Sequence, residues 1–187
     1  CQQLMIVAKS SMTKKNNLLI GVLFSITIIY LSIINFSSLF LFFPFLIFAL
    51  IIGKLFFKTA ESKRITIAFL FYTIMAMVIY TLQYISLPDY IFRGLSGPFG
   101  IGTDDSQFYY EAITGERWMD KNTPFYFYSV ILQLLANMIK IFKTVHPLDL
   151  ILFNVLGLSF TPILTSKVAQ YLTNNNKVSR LVFTLTL

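Results

Sequence analysis

Two carboxylates stand side by side at Asp104 and Asp105, directly after the turn-rich string Gly97-Pro-Phe-Gly-Ile-Gly-Thr103. An adjacent acid pair has two uses. One carboxylate can cap a helix start, worth about 1 kcal/mol, with the other a first-turn acid favoured by the helix dipole. Alternatively, the pair can take a proton from a reacting hydroxyl or amine, or hold a divalent cation. Spacing leaves both open. Gln107, three residues after Asp104, fits a capping box, and Gly115 fits a helix stop. A short helix over about 105–114 is therefore predicted. Asp104, Gln107, Phe108 and Glu111 share one side of it, and Asp105, Tyr109 and Ala112 an adjacent side. Tyr109, Tyr110 and Trp118 are rings of the kind that collect at a membrane–water interface. Arg93, Arg117 and Lys121 flank the acids; they are candidate partners for an anionic phosphate or plain loop charges.

Other chemistries are excluded. Gly97, Gly100 and Gly102 have the wrong spacing for a dinucleotide fingerprint, and no βαβ pattern surrounds them. The chain has a single cysteine, Cys1, and a single histidine, His146, too far apart in sequence to suggest a zinc site or a Cys–His nucleophile. His146, beside Pro147, reads as a solvated loop residue.

The elements that must position the acid pair are set by composition. Of 187 residues, 56% are hydrophobic and 12% charged, with a mean hydropathy of +0.72. Soluble domains carry roughly 25% charged residues, so too little polar surface exists here to clothe a body in water. Disorder is excluded on the same numbers, and a disulfide scaffold by the single cysteine. The expected class is all-α, a polytopic transmembrane helix bundle in a lipid bilayer. About five complete spans are predicted, at 18–36, 39–57, 65–85, 125–142 and 148–166, with a truncated sixth from 181. The predicted acid-motif helix is a short interfacial one in the loop 86–124. Residues 1–17 form an N-terminal segment, and 18–187 the membrane domain. The run 18–53 would be about 54 Å long as one helix at ~1.5 Å per residue. That exceeds a ~30 Å hydrocarbon core, so the polar break Asn35-Phe36-Ser37-Ser38 is expected to be a hairpin. The start at Cys1, a second candidate start at Met12, and the short apolar end 181–187 suggest the N-terminal part of a longer protein.

Basic residues predict orientation through the positive-inside rule. Lys14 and Lys15 precede the first span, Lys54, Lys58, Lys63 and Arg64 lie between the second and third, and Lys140 and Lys143 follow the fourth. They put the N-terminus in the cytoplasm and the loop 86–124 outside. Lys167, Lys177 and Arg180 conflict with this, because the same count of spans leaves them outside too. The net charge of +7 is spread over span ends, which fits headgroup contact and not nucleic-acid binding. Six of the eight acidic residues fall between Asp89 and Asp120, as a translocated loop that avoids cations also would.

The string Asp104-Asp105-Ser-Gln-Phe-Tyr-Tyr-Glu-Ala, the Pro-aromatic entry Thr123-Pro124-Phe125-Tyr126-Phe127-Tyr128, and the polar hairpin 174–177 resemble the C-type (GT-C) polytopic membrane glycosyltransferase superfamily over about 87–187. Gly-Ile-Gly-Thr-Asp-Asp also resembles the Gly-Thr-Asp segment of polysaccharide repeat-unit polymerases of the EpsG/Wzy kind. The resemblance implies a polyprenyl-phosphate-linked sugar donor, a glycan, lipid or protein acceptor, and transfer on the outer face. It implies catalysis by Asp104 with Asp105 second, and substrate contacts from Arg93, Gln107, Tyr109, Glu111, Arg117 and Lys121. A divalent metal ion, if one takes part, would sit on Asp104 and Asp105. The rival class is a transporter or flippase, which would need ionisable residues inside the spans.

Overall fold

A computed structural model describes residues 2–57, 59–85, 103–116 and 124–187, and the side chains of 16–57, 61–82, 108–116 and 125–187. Among the described residues all regular structure is helical. The helices are α1 (Gln2–Asn35), α2 (Leu39–Phe56), α3 (Thr59–Ile85), α4 (Thr103–Thr114), α5 (Pro124–Lys140), α6 (Pro147–Leu158), α7 (Thr161–Thr173) and α8 (Asn176–Thr186). Three stretches are long and apolar enough to cross a membrane: Asn16–Phe56, Glu61–Leu82 and Pro147–Thr173. Only 28%, 50% and 50% of their most apolar windows are buried within the protein. Ile33, Phe40, Leu55 and Leu172 all face outward at 72–75% exposure. A bilayer accepts that surface, whereas water would not.

The chain forms two compact units, one running up to Met75 together with Phe153–Leu187, the other Ala76–Leu152. In the first, the polar break forms the expected reversal. Asn35 leaves helical geometry at φ −156°, and its Oδ1 accepts from the Ser37 N–H at 3.2 Å and the Ser37 hydroxyl at 2.8 Å. These bonds offer the backbone an alternative to continuing the helix. The Phe24 and Phe42 rings then lie 6.3 Å apart. Eighteen residues of unbroken helix would separate them by about 27 Å, so the stretch Asn16–Phe56 doubles back. Phe42, fully buried, stacks on Phe69 of α3 at 5.8 Å. Gly53 lets α2 approach α3 closely, because a Cβ there would lie 2.9 Å from the Ser62 hydroxyl and 3.2 Å from its Cα. Lys63 reaches the Asn17 side chain at 2.8 Å, so α3 begins where the apolar part of α1 begins.

The expected single helix over 148–166 is two, α6 and α7, and together they run on to Thr173. Pro162 has no N–H to offer the Leu158 carbonyl, and the Ser159 hydroxyl folds back onto the Leu156 carbonyl at 2.6 Å. The helix therefore breaks without unravelling. Asn174 then takes the left-handed conformation (φ 48°), and Asn175 caps α8 by accepting from the Lys177 N–H at 2.9 Å. Asn174 and Asn175 thus make the turn between α7 and α8, and α8 starts at Asn176, five residues before the apolar run expected from 181. Residues 2–17 are helical and form the first part of α1.

Candidate functional site

The acid motif lies on α4, in the second unit. The helix runs from Thr103 to Thr114, close to the predicted 105–114. Gly115 ends it as expected, with a φ of +78° and an N–H donated to the Glu111 carbonyl at 2.9 Å. Asp104 and Asp105 therefore occupy the first turn of α4. Their side chains and that of Gln107 lie outside the described residues, as do Arg93, Arg117 and Lys121 altogether.

Two of the predicted substrate contacts, Glu111 and Tyr109, face inward. Glu111 is 2% exposed and accepts from the Ser129 hydroxyl of α5. Tyr109 donates to the Val145 carbonyl at 3.1 Å. Burial, and secondarily the charge of Asp149, raises the Tyr109 pKa above its usual value, which keeps the phenol a donor. Phe108 meets Tyr128 edge-on at 4.7 Å and Phe125 at 6.2 Å. The pairings 108 with 125 and 128, 111 with 129, and Gly115 beside the Gln133 amide advance together, so α4 and α5 run in the same direction. The buried stripe Ser129, Leu132, Ala136 and Ile139 of α5 has helical spacing and carries this contact.

The end of α5 and the segment after it both meet α4. Lys140 donates to the Ile113 carbonyl in the last turn of α4, where a cation complements the dipole. The segment that includes Lys143 carries Val145, the acceptor for Tyr109. The single span expected over 125–142 is a 17-residue helix, α5, whose C-terminal cation returns to α4.

The start of α6 holds a polar cluster that the sequence reading missed. Asp149 is fully buried and pairs with Lys143 at 2.8 Å. Its second oxygen accepts from the His146 N–H at 2.8 Å, while His146 Nδ1 accepts from the Leu148 N–H at 3.2 Å. This is a reciprocal capping box built on histidine, with Pro147 in the first helical position. His146 is thus half-buried and not a solvated loop residue. Because Nδ1 accepts, its proton sits on Nε2, which faces the Tyr80 hydroxyl at 3.4 Å. Desolvation lowers the His146 pKa, opposed by Asp149 and aided by Lys143. A His-Pro-Leu-Asp run was the available signal, but histidine is not among the usual cap residues.

The cluster brackets Val145, whose carbonyl accepts from Tyr109 of α4. Its charges are engaged with one another, and among the described residues no three metal-ligating side chains converge. No family model matches the chain, and neither a curated protein nor a solved structure matches it.

Proposed function

We propose that the protein is an integral membrane glycosyltransferase acting on the outer face, with a polyprenyl-phosphate-linked sugar as donor. Asp104 takes the proton of the acceptor hydroxyl or amine as that atom attacks the anomeric carbon. The bond from that carbon to the lipid phosphate breaks, and the phosphate leaves as an anion. Arg93, Arg117 and Lys121 supply countercharge, and Asp105 supports Asp104 or shares a divalent ion with it. The observation that carries this reading is the docking of α4. Its acid-bearing first turn stands on a helix pinned by the buried Glu111–Ser129 contact and the Tyr109–Val145 bond. A general base needs that kind of rigid mount. In this reading Glu111 and Tyr109 hold the helix and do not touch substrate. Asp104→Asn is expected to lower sugar transfer from a lipid-linked donor at least 100-fold with membrane insertion intact. Transfer near the wild-type rate would remove the catalytic assignment. A repeat-unit polymerase uses the same step on a glycan acceptor, and product length in that assay separates the two.

The orientation follows from charge. We infer that α5 stays on the α4 side of the membrane, a reading supported by the contacts of Lys140 and of Val145 with α4. In that reading, counting spans along the sequence, Lys14, Lys15, Lys54, Lys63, Arg64, Lys167, Lys177 and Arg180 fall on the N-terminal side, while six of the eight acids fall between Asp89 and Asp120. The positive-inside rule makes the N-terminal side cytoplasmic and the α4 side external. In a Cys1→Ser background, cysteines at Ser106 and Lys140 should both react with an impermeant thiol reagent on intact cells, and one at Lys177 only after permeabilisation. Protection of Lys140→Cys alongside labelled Ser106→Cys would restore a crossing at α5.

A further inference from the structure

A second polar site lies in the first unit, where the start of α3, the middle of α7 and the start of α8 meet. A cleft of about 240 Å³ is lined there by Glu61, Arg64, Lys167, Gln170, Asn176 and Arg180, with Ser166 and Ser179 buried at its base. Three cations thus face one carboxylate. Lys167 pairs with Glu61 at 3.1 Å and also sits 5.0 Å from the centre of the Phe57 ring. The Arg64 guanidinium lies 5.1 Å from the centre of the Phe183 ring. Arg64 and Arg180 are close enough to repel each other. A fold gathers like charges at one cleft at a cost, and an anion between them removes it.

We propose that this cleft binds a phosphate group, as a monoester or diester, between Arg64 and Arg180. The guanidinium forks match phosphate oxygens in pairs, and planar Arg stacked on an aromatic ring is already oriented to do so. The start of α8 adds the positive end of an 11-residue helix at Asn176. The Asn176 side-chain oxygen accepts from Gln170 at 2.6 Å, which leaves its NH2 as a further donor. Two sources carry this chemistry: the headgroup of an anionic phospholipid and free inorganic phosphate. The cleft lies where the apolar stretch Glu61–Leu82 begins, beside the Phe57 and Phe183 rings, and the end of a membrane span is where headgroups are met. The site shares no residue with the proposed transfer chemistry and does not depend on it.

The purified full chain in neutral detergent is incubated with phosphatidylglycerol or phosphatidylcholine, and retained lipid is counted by native mass spectrometry. Inorganic phosphate binding is measured in parallel by calorimetry. Retention of phosphatidylglycerol over phosphatidylcholine that falls at least tenfold in Arg64→Gln and in Arg180→Gln supports a headgroup site. Phosphate binding with the same dependence, and no preference for phosphatidylglycerol, supports a phosphate site fed from solution. Arg180 is exposed, so its replacement leaves the fold intact, and circular dichroism of both variants checks this. If neither probe responds to Arg180→Gln in a folded protein, the site does not exist.

Discussion

The two charged regions handle the same problem in opposite ways. At the start of α6 the charges are buried and closed on one another: fully buried Asp149 meets Lys143 on one oxygen and the His146 N–H on the other. At the cleft of α3, α7 and α8 the charges are partly open, with Arg180 exposed and cations in excess over Glu61. A closed cluster costs desolvation once, at folding, and then ties helices together. An open one leaves capacity for a ligand. The contrast teaches that the two regions should respond differently to losing a single charge.

The largest expected effect is at Asp149. Asp149→Ala strands Lys143 and removes half of the α6 capping box, a loss of about 3–5 kcal/mol for a broken buried pair. Reversible unfolding in mixed detergent measures it. Asp149→Asn keeps an acceptor for the His146 N–H and should lose less. A loss under ~1 kcal/mol would place the pair with exposed ion pairs and erase the contrast with the cleft.

Glu111→Ala comes next, at about 1–3 kcal/mol, because the Ser129 hydroxyl is left buried without its partner. Hydrogen exchange sharpens the comparison. Amides of α4 should exchange faster in this variant, while those of α2 and α7 in the first unit stay protected. Equal acceleration in both would mean that the contact supports the whole chain and not the mounting of α4.

The smallest effect is the pH response of the His146 cap, about 1 kcal/mol. Burial lowers its pKa below the ordinary 6.5, so the folded state prefers the neutral ring that accepts from the Leu148 N–H. The cap contributes fully above about pH 6.5 and is lost as pH falls through the lowered folded value. The midpoint of thermal unfolding should therefore drop between pH 7 and 5 by more in the wild type than in His146→Gln. Equal drops would show that another group carries the acid response.

Much of the helix pattern was legible because it is local. The apolar run of α2 was placed to within a residue. The end of α4 followed from Gly115, whose stopping role depends only on near neighbours, whereas its start was expected at 105 and lies at Thr103, which puts Asp104 inside the first turn. The break between α6 and α7 was written in Ser159 and Pro162, yet a hydropathy reading passes over it because the surrounding residues remain apolar.

What the sequence determined by itself was the solvent and the elements: the ratio of apolar to charged residues requires a bilayer, and periodicity with glycine, proline and asparagine at the ends sets the helices. Only the tertiary structure decided which charges meet. Lys140 returns to α4, Lys143 finds Asp149, and Lys167 finds Glu61 across separations of 27, 6 and 106 residues. Composition fixes how much charge a chain must accommodate, but the partner of each charge is a property of packing.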